Sequence, residues 1–409
     1  MDCIRCKGNT SSKHSCGKKF CPLYRKAESM FKTIELKAKD FSGTSPSVFV
    51  GRYGYPRVNV GILSPPERSE EAWLHDSPSF WASGNFSIRQ VAGLRGSLVN
   101  SRFKSEIKGS SRYLDMAKEI AMAKKPVDID VILEKKPRFN LKIDNITMPM
   151  GPAAQLRKLT LASNPSVNKA VEKAVYDTDL KAVDAIEMLY DKGVQHNELS
   201  RLLSIGNFGV NRARKLVPTR WSITAAHDTV GKLLISRVKD LPKANYLCYF
   251  GGYLGNNYII MLLPDVWSFE LFESYIPGTL WNPDTELKTS TDHEFYEGRK
   301  SYAANTEGGY YACRYSVLEK LASIKRQASV IALRFITPEY NTPLGVWVCQ
   351  EAAKKAMESK PEEFSSSGEL FAYAKSLAMK NFSINIDQYT KKSKIINFLK
   401  TQSRLTSFF

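Results

Sequence analysis

Hydrophobic and polar positions along the chain follow two different periods, and neither period persists over the whole length. Short apolar runs bounded by glycine and proline predict strands over residues 47–51 and 58–63. A longer apolar stretch, interrupted by Gly255-Asn256-Asn257, predicts a buried β-hairpin over residues 245–263. Apolar residues recur at helical spacing over residues 166–192. We therefore predict an α+β fold, with a large mixed body of β-hairpins and packed helices.

The remaining predicted elements alternate irregularly towards the carboxyl end. The predicted strands are residues 221–224 and 330–336, and the predicted helices are residues 315–327, 350–358 and 368–379. The irregular order excludes a regular βαβ repeat, and no fixed-period repeat is visible.

Residues 197–217 have the length of a helix-turn-helix unit. A helix over residues 197–203, a glycine-containing turn and a basic second helix over residues 210–217 resemble a DNA-reading motif. The same pattern fits a helical hairpin packed on the body of the protein, because short helix pairs with a glycine turn are common. Both interpretations stay open from the sequence.

Charge is concentrated at the two ends of the chain. The 409 residues include 59 Lys and Arg against 41 Asp and Glu, for a net charge of +18, which indicates a polyanionic partner or an acidic membrane surface. Residues 1–40 carry a net charge of +6 and residues 389–409 a net charge of +5. We predict a module over residues 1–30, a core over residues 31–388 with a possible subdivision near residues 150–220, and a disordered basic tail over residues 389–409.

The amino-terminal sequence lacks the apolar segment of a secretory signal. We therefore expect a reducing, cytoplasmic location, associated with the nucleoid, and no disulfide bonds. The apolar stretch over residues 246–264 is interrupted by glycine and asparagine, so no membrane-spanning segment is expected. Cys248, Cys313 and Cys349 lie in apolar runs and are predicted core residues.

Four of the seven cysteines lie in the first 21 residues, as Cys3-x2-Cys6-x9-Cys16-x4-Cys21. Four thiolates at this density, with one pre-aligned Cys-x2-Cys pair, are typical of a tetrahedral zinc site. Four protein ligands leave no position for a catalytic water, so the predicted Zn²⁺ is structural. The alternatives are free or redox-active thiols, or a site in which His14 replaces one cysteine.

The common nucleotide-binding and hydrolase motifs are absent from the sequence. A polar and aromatic segment over residues 292–311 contains Gly308-Gly309 followed by Tyr310-Tyr311. Glycines allow close approach of a ligand, and the tyrosines are candidates for stacking on a base. The alternative is a plain turn that joins two strands.

The last eight residues fit the pattern Q-x-x-h-x-x-a-a, in which h is aliphatic and a is aromatic. One 3₁₀ turn, with about three residues per turn, places Leu405 beside Phe408. Phe409 completes an apolar plug, and Gln402 supplies an amide for a small polar pocket. The pattern fits the PIP box, the motif that docks on the PCNA sliding clamp, so PCNA is a predicted partner. The alternative is a chain end that buries both phenylalanines in its own core.

Several longer segments together resemble the archaeal NreA/NreB family of DNA repair proteins. The matching segments lie at residues 46–57, 214–224, 308–312, 325–328 and 343–347 and together span nearly the whole chain. The resemblance implies a role in repair of DNA damage, an amino-terminal cysteine cluster and, in the NreA branch, a clamp-binding tail. At Gln350, before Glu351, the resemblance would place an arginine.

Two hypotheses of different class follow. In the first, the protein is a binding factor that holds DNA through a zinc module and a basic surface, while the tail recruits it to the clamp. In the second, it is an NAD-dependent ADP-ribosyltransferase similar to the DarT-type toxins that modify DNA. Arg52 or Arg220 would then hold the pyrophosphate of NAD, and Glu294 or Glu351 would stabilise the oxocarbenium ion. A nuclease is a third class, for which the sequence offers no acidic cluster with metal spacing.

Overall fold

The computed structural model describes residues 36, 38–139, 146–279 and 281–401. These residues divide into two compact units. Unit one contains the described residues up to Val230 together with Thr342–Gly345, and unit two contains those from Gly231–Asn341 and from Val346 onward. Each unit combines helices with a sheet, which confirms the predicted α+β class. The predicted zinc module over residues 1–30 lies outside the described residues.

Unit one is built on a six-stranded sheet. Its strands are β1 (Asp40–Ser45), β2 (Ser47–Val50), β3 (Arg57–Ser64), β4 (Val99–Glu106), β5 (Val127–Leu133) and β6 (Ala153–Leu161). They lie in the order β1-β5-β6-β4-β3-β2, and all neighbours are antiparallel except β4 and β6. The predicted strands at residues 47–51 and 58–63 are confirmed as β2 and β3.

The helices of unit one are short, apart from the last. They are α1 (Pro78–Ser83), α2 (Ile88–Gly96), α3 (Arg112–Met122), α4 (Lys169–Tyr176), α5 (Ala182–Asp191), α6 (His196–Ser204) and α7 (Thr219–Val238), whose second half belongs to unit two. The predicted helix over residues 166–192 is two helices, because the Asp177 side chain accepts hydrogen bonds from the backbone N–H groups of Asp179 and Leu180, both at 3.0 Å. No helix within the described ranges is long and apolar enough to cross a membrane.

The core of unit one follows from strand and helix periodicity. Strand β5 alternates between buried Val127, Ile129 and Val131 and more exposed residues, so one face of the sheet is apolar. Helix α3 buries Leu114 and Ala117, three positions apart, in the same cluster. The sheet and helix α3 therefore share a hydrophobic core.

Unit two contains a second six-stranded sheet. Its first two strands are adjacent and antiparallel, which confirms the hairpin predicted over residues 245–263. Its strands are β7 (Tyr246–Tyr253), β8 (Asn256–Leu263), β9 (Ser268–Tyr275), β10 (Lys288–Glu294), β11 (Ser329–Ile336) and β12 (Glu362–Phe364). They lie in the order β10-β9-β11-β8-β7-β12, and all neighbours are antiparallel except β9 and β11.

Two helices of unit two match the predicted ones within three residues, whereas the helix predicted over residues 315–327 begins seven residues earlier and ends four residues earlier in the structure. The helices of unit two are α8 (Gly308–Ser323), α9 (Trp347–Glu358), α10 (Ser367–Phe382), α11 (Asp387–Lys392) and α12 (Lys394–Thr401). Helix α10 buries Leu370, Ala374 and Ala378, spaced by four, against apolar residues of the sheet. Cys248, Cys313 and Cys349 are buried, as predicted.

The predicted basic tail begins at residue 389, whereas the structure places residues 389–392 in α11 and residues 394–401 in α12. The carboxylate of Glu270, fully buried in β9, accepts hydrogen bonds from the Ser393 hydroxyl and from the backbone N–H groups of Lys394 at 3.0 Å and Ile395 at 3.3 Å. A carboxylate at a helix amino terminus satisfies donors that have no partner within the helix. This long-range cap anchors α12, so the four lysines of the segment lie on helices rather than in a disordered tail.

Unit two buries two ion pairs in its interior. The Glu294 carboxylate accepts hydrogen bonds from Arg314 Nη1 at 2.7 Å and from Trp267 Nε1 at 3.2 Å, and both charged side chains are buried. The second pair joins Glu273 to Arg334, whose Nε also donates to Asn256 Oδ1 at 3.1 Å. These bonds satisfy charges that would otherwise be very costly in an apolar interior.

The buried Glu294–Arg314 pair leads to a stability prediction. Arg314→Met leaves the Glu294 charge buried without its cation, and we expect it to lower the free energy of unfolding by about 3–5 kcal/mol. The double variant Glu294→Leu/Arg314→Met removes both charges and should recover a large part of that loss. Urea denaturation followed by tryptophan fluorescence measures both. A single variant as stable as the wild type would show that the pair does not hold the unit together.

Candidate nucleic-acid interface

The loop between β2 and β3 raises two tyrosines from the end of the sheet in unit one. A turn closed by the Arg57 N–H donating to the Gly54 carbonyl at 2.9 Å forms its tip. Gly54 has φ of +85°, a conformation that residues with a Cβ rarely adopt. The side chains of Tyr53 and Tyr55 remain 49% and 43% exposed. The loop therefore presents two aromatic rings to solvent.

The start of helix α7 adds a third ring. The Val50 N–H at the end of β2 donates to Thr219 Oγ1 at 2.9 Å, which fixes the first turn of the helix beside the loop. Trp221, in that turn, is 46% exposed and lies against Tyr55, with ring centroids 5.4 Å apart and planes inclined by 58°. An exposed aromatic pair of this kind leaves faces on which further rings can stack.

Basic side chains surround these rings. Arg52 Nη2 donates to the Tyr53 hydroxyl at 3.3 Å, and its guanidinium lies 5.1 Å from the ring centroid. The backbone of Ile107 donates to the Pro56 carbonyl at 3.0 Å and accepts from the Leu216 N–H at 2.8 Å, so the neighbouring lysines lie at the same end of the unit. We call this region the aromatic–basic surface, and it comprises Arg52, Tyr53, Tyr55, Arg57, Lys108, Lys215, Arg220 and Trp221.

Three cations of this surface, Arg57, Lys108 and Lys215, are exposed to solvent. Arg57 lies 3.8 Å from Glu106, but both side chains are well exposed, and a surface ion pair of this kind contributes little. Cations interleaved with stacking rings match a nucleic acid strand, in which phosphates alternate with bases.

The helix-turn-helix interpretation is wrong. Helix α6 confirms the first helix, but the segment predicted as the second contains only a 3₁₀ turn at Asn211–Ala213. The Arg214 guanidinium donates to three backbone carbonyls, those of Gly209, Val175 and Asp177, at 2.6–2.7 Å. These bonds hold the segment in an irregular conformation, so it has no recognition helix.

The strand predicted over residues 221–224 is also wrong, because these residues form the first turns of α7. Trp221 and Ser222 donate their N–H groups to the Pro218 carbonyl at 2.7 and 3.0 Å, which starts the helix. The segment at Gly308-Gly309 does not join two strands but begins helix α8. A Cβ on Gly309 would lie 2.3 Å from the Glu273 carboxylate, so this glycine is required for packing. Tyr310 and Tyr311 are buried and therefore not free to stack on a base.

The four residues proposed for transferase chemistry lie in different units. Arg52 and Arg220 belong to the aromatic–basic surface of unit one, whereas Glu294 and Glu351 belong to unit two. Both carboxylates are buried, and Glu294 is engaged by Arg314 and Trp267. Burial, and then the negative charge of Glu351, raise the pKa of the neighbouring Tyr253 hydroxyl. The transferase activity stays a prediction. Of its four candidate residues, Arg52 and Arg220 lie in unit one.

Two predicted sites fall on residues that the structure does not describe. The zinc ligands Cys3, Cys6, Cys16 and Cys21 and the clamp-box residues Gln402, Leu405, Phe408 and Phe409 lie outside the described ranges.

The interleaved sequence Arg52-Tyr53-Gly54-Tyr55-Pro56-Arg57 is recognisable as an exposed loop from the sequence alone. Trp221 is not, because its place beside Tyr55 depends on a contact between segments far apart in sequence.

Comparison with known proteins accounts for nearly the whole chain. The archaeal Nre N-terminal family matches residues 15–282, and the archaeal Nre C-terminal family matches residues 294–408. DNA repair protein NreB of Archaeoglobus fulgidus is 33% identical over 97% of this chain and 97% of its own length. DNA repair protein NreA is 37% identical in Haloferax volcanii, over 80% of each chain, and 37% identical in Archaeoglobus fulgidus, over 89% of this chain and 90% of its own. No solved structure matches significantly. The chain therefore belongs to the archaeal Nre family.

Proposed function

We propose that this protein is a DNA repair factor that binds DNA through the aromatic–basic surface of unit one and is recruited to the PCNA sliding clamp through its carboxyl-terminal residues. The naming of its relatives as DNA repair proteins supports the first part. The observation that carries the DNA-binding part is the exposed Tyr55–Trp221 pair surrounded by arginine and lysine. A net charge of +18 favours association with a polyanion.

The exposed rings suggest which form of DNA is bound. Aromatic side chains stack on bases only where the bases are unpaired, and each stacked base contributes about 1–3 kcal/mol. The surrounding cations hold the phosphates with little dependence on sequence. The proposed substrate is therefore DNA with a single-stranded stretch, as occurs at damaged or gapped sites.

The helix that precedes the proposed clamp box supports recruitment through it. Its first residue, Gln402, follows directly after Thr401, the last residue of α12. That helix is anchored at its start by Glu270, so the box would extend from a fixed point. Exposed Lys394 and Lys400 on the helix would steer the segment towards an acidic surface.

The amino-terminal cysteines complete the proposal as a structural zinc site. Cys3, Cys6, Cys16 and Cys21 would hold Zn²⁺ in a closed tetrahedron, and Lys18 and Lys19 between them would face phosphates. The site would therefore extend DNA binding rather than perform chemistry.

Removal of the rings should weaken DNA binding without unfolding the protein. For Trp221→Ala we expect an increase of about tenfold in the Kd for single-stranded DNA, which corresponds to about 1.4 kcal/mol of stacking. Fluorescence anisotropy with a labelled oligonucleotide measures the change. The matched control is Tyr296→Ala, which removes a ring that is 39% exposed in unit two and should leave the Kd unchanged.

The lysines of the same surface should affect how strongly DNA binding depends on salt concentration. Lys108→Gln/Lys215→Gln should reduce the slope of log K against log salt by about 1.4, because each phosphate of a single strand that is no longer neutralised lowers the slope by about 0.7. Equal salt slopes for the variant and the wild type would show that Lys108 and Lys215 do not contact the phosphates.

The zinc site has a direct chemical test. We expect the purified native protein to contain one zinc atom per chain by elemental analysis, and Cys6→Ser/Cys16→Ser to lose it. Zinc retained in full by the double variant, or no metal in the native protein, would contradict the assignment. Cys248→Ser is the control, because that thiol is buried in the core of unit two.

The clamp box should account for clamp binding through its two aromatic anchors. Phe408→Ala/Phe409→Ala should weaken binding to PCNA by several kcal/mol in a calorimetric titration, because buried aromatic anchors dominate interfaces of this kind. The melting temperature should stay the same if these rings are not part of the protein's own core. A double variant that binds the clamp normally, or melts much lower, would exclude the motif.

A further inference from the structure

Unit one has a groove beside the first turns of α6. It encloses about 320 Å³, within the usual size range of small-ligand pockets. Its lining combines exposed rings, basic residues and one acidic residue near the start of α6, among them Trp73, Phe80, Lys124, Lys125, Glu198 and Arg201. Nothing in the function proposed above uses this groove.

Two rings form the apolar part of the groove. Trp73 is 38% exposed and Phe80 is 44% exposed, and they meet edge to face with centroids 4.9 Å apart. Large aromatic side chains are normally buried, so two of them exposed in one concave site indicate a ligand with a flat apolar face.

The groove carries positive charge. Lys124 and Lys125 are exposed at its rim. Of its two acidic residues, Asp76 is neutralised by Arg95, whose Nη1 lies 2.8 Å from the Asp76 carboxylate. The charge and the rings together fit a nucleotide, with the base against the aromatic side chains and the phosphate at the lysines.

Glu198 is the other acidic residue of the groove. Its Oε1 atom is buried, and no described residue donates a hydrogen bond to it. Burial raises the pKa of this carboxyl, and the positive charges of Arg201 and Lys124 oppose the shift. No hydrogen bond to Oε1 opposes rotation about the terminal torsion of Glu198, which is broad, and binding of a base would require that rotation to bring both oxygens to the groove. The Glu198 carboxylate would then offer two adjacent acceptors, which match a ligand with two adjacent donors.

We infer that this groove binds an unpaired guanine nucleotide of DNA, with the base stacked on Trp73, its N1–H and N2–H groups donating to Glu198, and its phosphate held by Lys124 and Lys125. Guanine is the only one of the four bases with two adjacent donors on its Watson–Crick edge. Adenine and cytosine pair one donor with an acceptor there, and thymine has a donor between two acceptors. The inference rests on the proposed function and adds a base preference to it.

The fold places the groove and the aromatic–basic surface within reach of one strand. Pro46, at the groove, directly precedes β2, whose four residues span about 13 Å and end at the loop that carries Tyr53. Helix α6 makes the same connection, because Glu198 lies in its first turn and Ser204, its last residue, is 3.0 Å from Thr219 Oγ1. A strand held at the aromatic–basic surface could therefore place a neighbouring nucleotide in the groove.

The test uses the full-length protein and labelled duplexes that differ only in one unpaired nucleotide. We expect a duplex with an unpaired guanine to bind about tenfold more tightly than one with an unpaired adenine. Glu198→Gln should reverse this preference, because the amide presents one acceptor and one donor and matches the N1 and N6–H₂ groups of adenine. Trp73→Ala should weaken binding of both duplexes. A purely structural role for Glu198 would not reverse the preference between bases.

Controls separate the groove from the rest of the protein. Glu172→Gln removes an exposed carboxylate on α4 and should leave the preference unchanged. Glu198→Gln should melt no lower than the wild type, because it removes a carboxylate that lacks a hydrogen-bond donor.

The outcomes distinguish the two proposals. Equal binding of both duplexes, or a guanine preference that persists in Glu198→Gln, overturns the groove assignment and leaves DNA binding by the aromatic–basic surface intact. If no duplex binds at low salt, the proposed function fails. Calorimetry with dGMP and dAMP then tests the assignment of the groove by itself. Binding of dGMP over dAMP that Glu198→Gln removes supports the assignment, and equal or absent binding of the two mononucleotides overturns it.

Discussion

One hydroxyl group, Thr219 Oγ1, holds together the three segments on which the proposed interface depends. It accepts a hydrogen bond from the Val50 N–H at 2.9 Å and lies 3.0 Å from Ser204 Oγ, which also donates to the Val217 carbonyl at 2.9 Å. The end of β2, the end of α6 and the start of α7 therefore meet at one point. Because loop residues are positioned only as well as the scaffold below them, this junction sets where Tyr55 and Trp221 lie.

Some charged side chains of the described residues are paired within the fold, and others stay exposed to solvent. In unit two, the pairs Glu294–Arg314 and Glu273–Arg334 are buried, and Glu270 caps a helix. These charges therefore stabilise the fold and do not face a partner. In unit one, the arginines and lysines beside the exposed rings keep contact with solvent. A residue type alone does not separate these roles, because a carboxylate in a polar segment looks the same in sequence whether it is paired or free.

The sequence predicts correctly the elements whose pattern is local. The hairpin β7–β8 and strands β2, β3 and β11 are confirmed because apolar runs bounded by turn residues determine their own structure. The second helix of the supposed helix-turn-helix is wrong because Arg214 is bound by the carbonyls of Val175 and Asp177, nearly forty residues earlier. Residues 221–224 favour a strand by local propensity, and the helix that they begin overrides it. The buried state of Glu294 depends on Arg314, twenty residues further on, and no local pattern reveals it.

The central claim is that the aromatic–basic surface contacts unpaired bases, and photo-crosslinking tests it most directly. Full-length protein bound to single-stranded DNA that contains a photoreactive base would be irradiated, digested and mapped by mass spectrometry. Stacked rings lie in van der Waals contact with the base, so the account predicts adducts at Tyr53, Tyr55 or Trp221. Adducts confined to unit two, with none on these three residues, would contradict it.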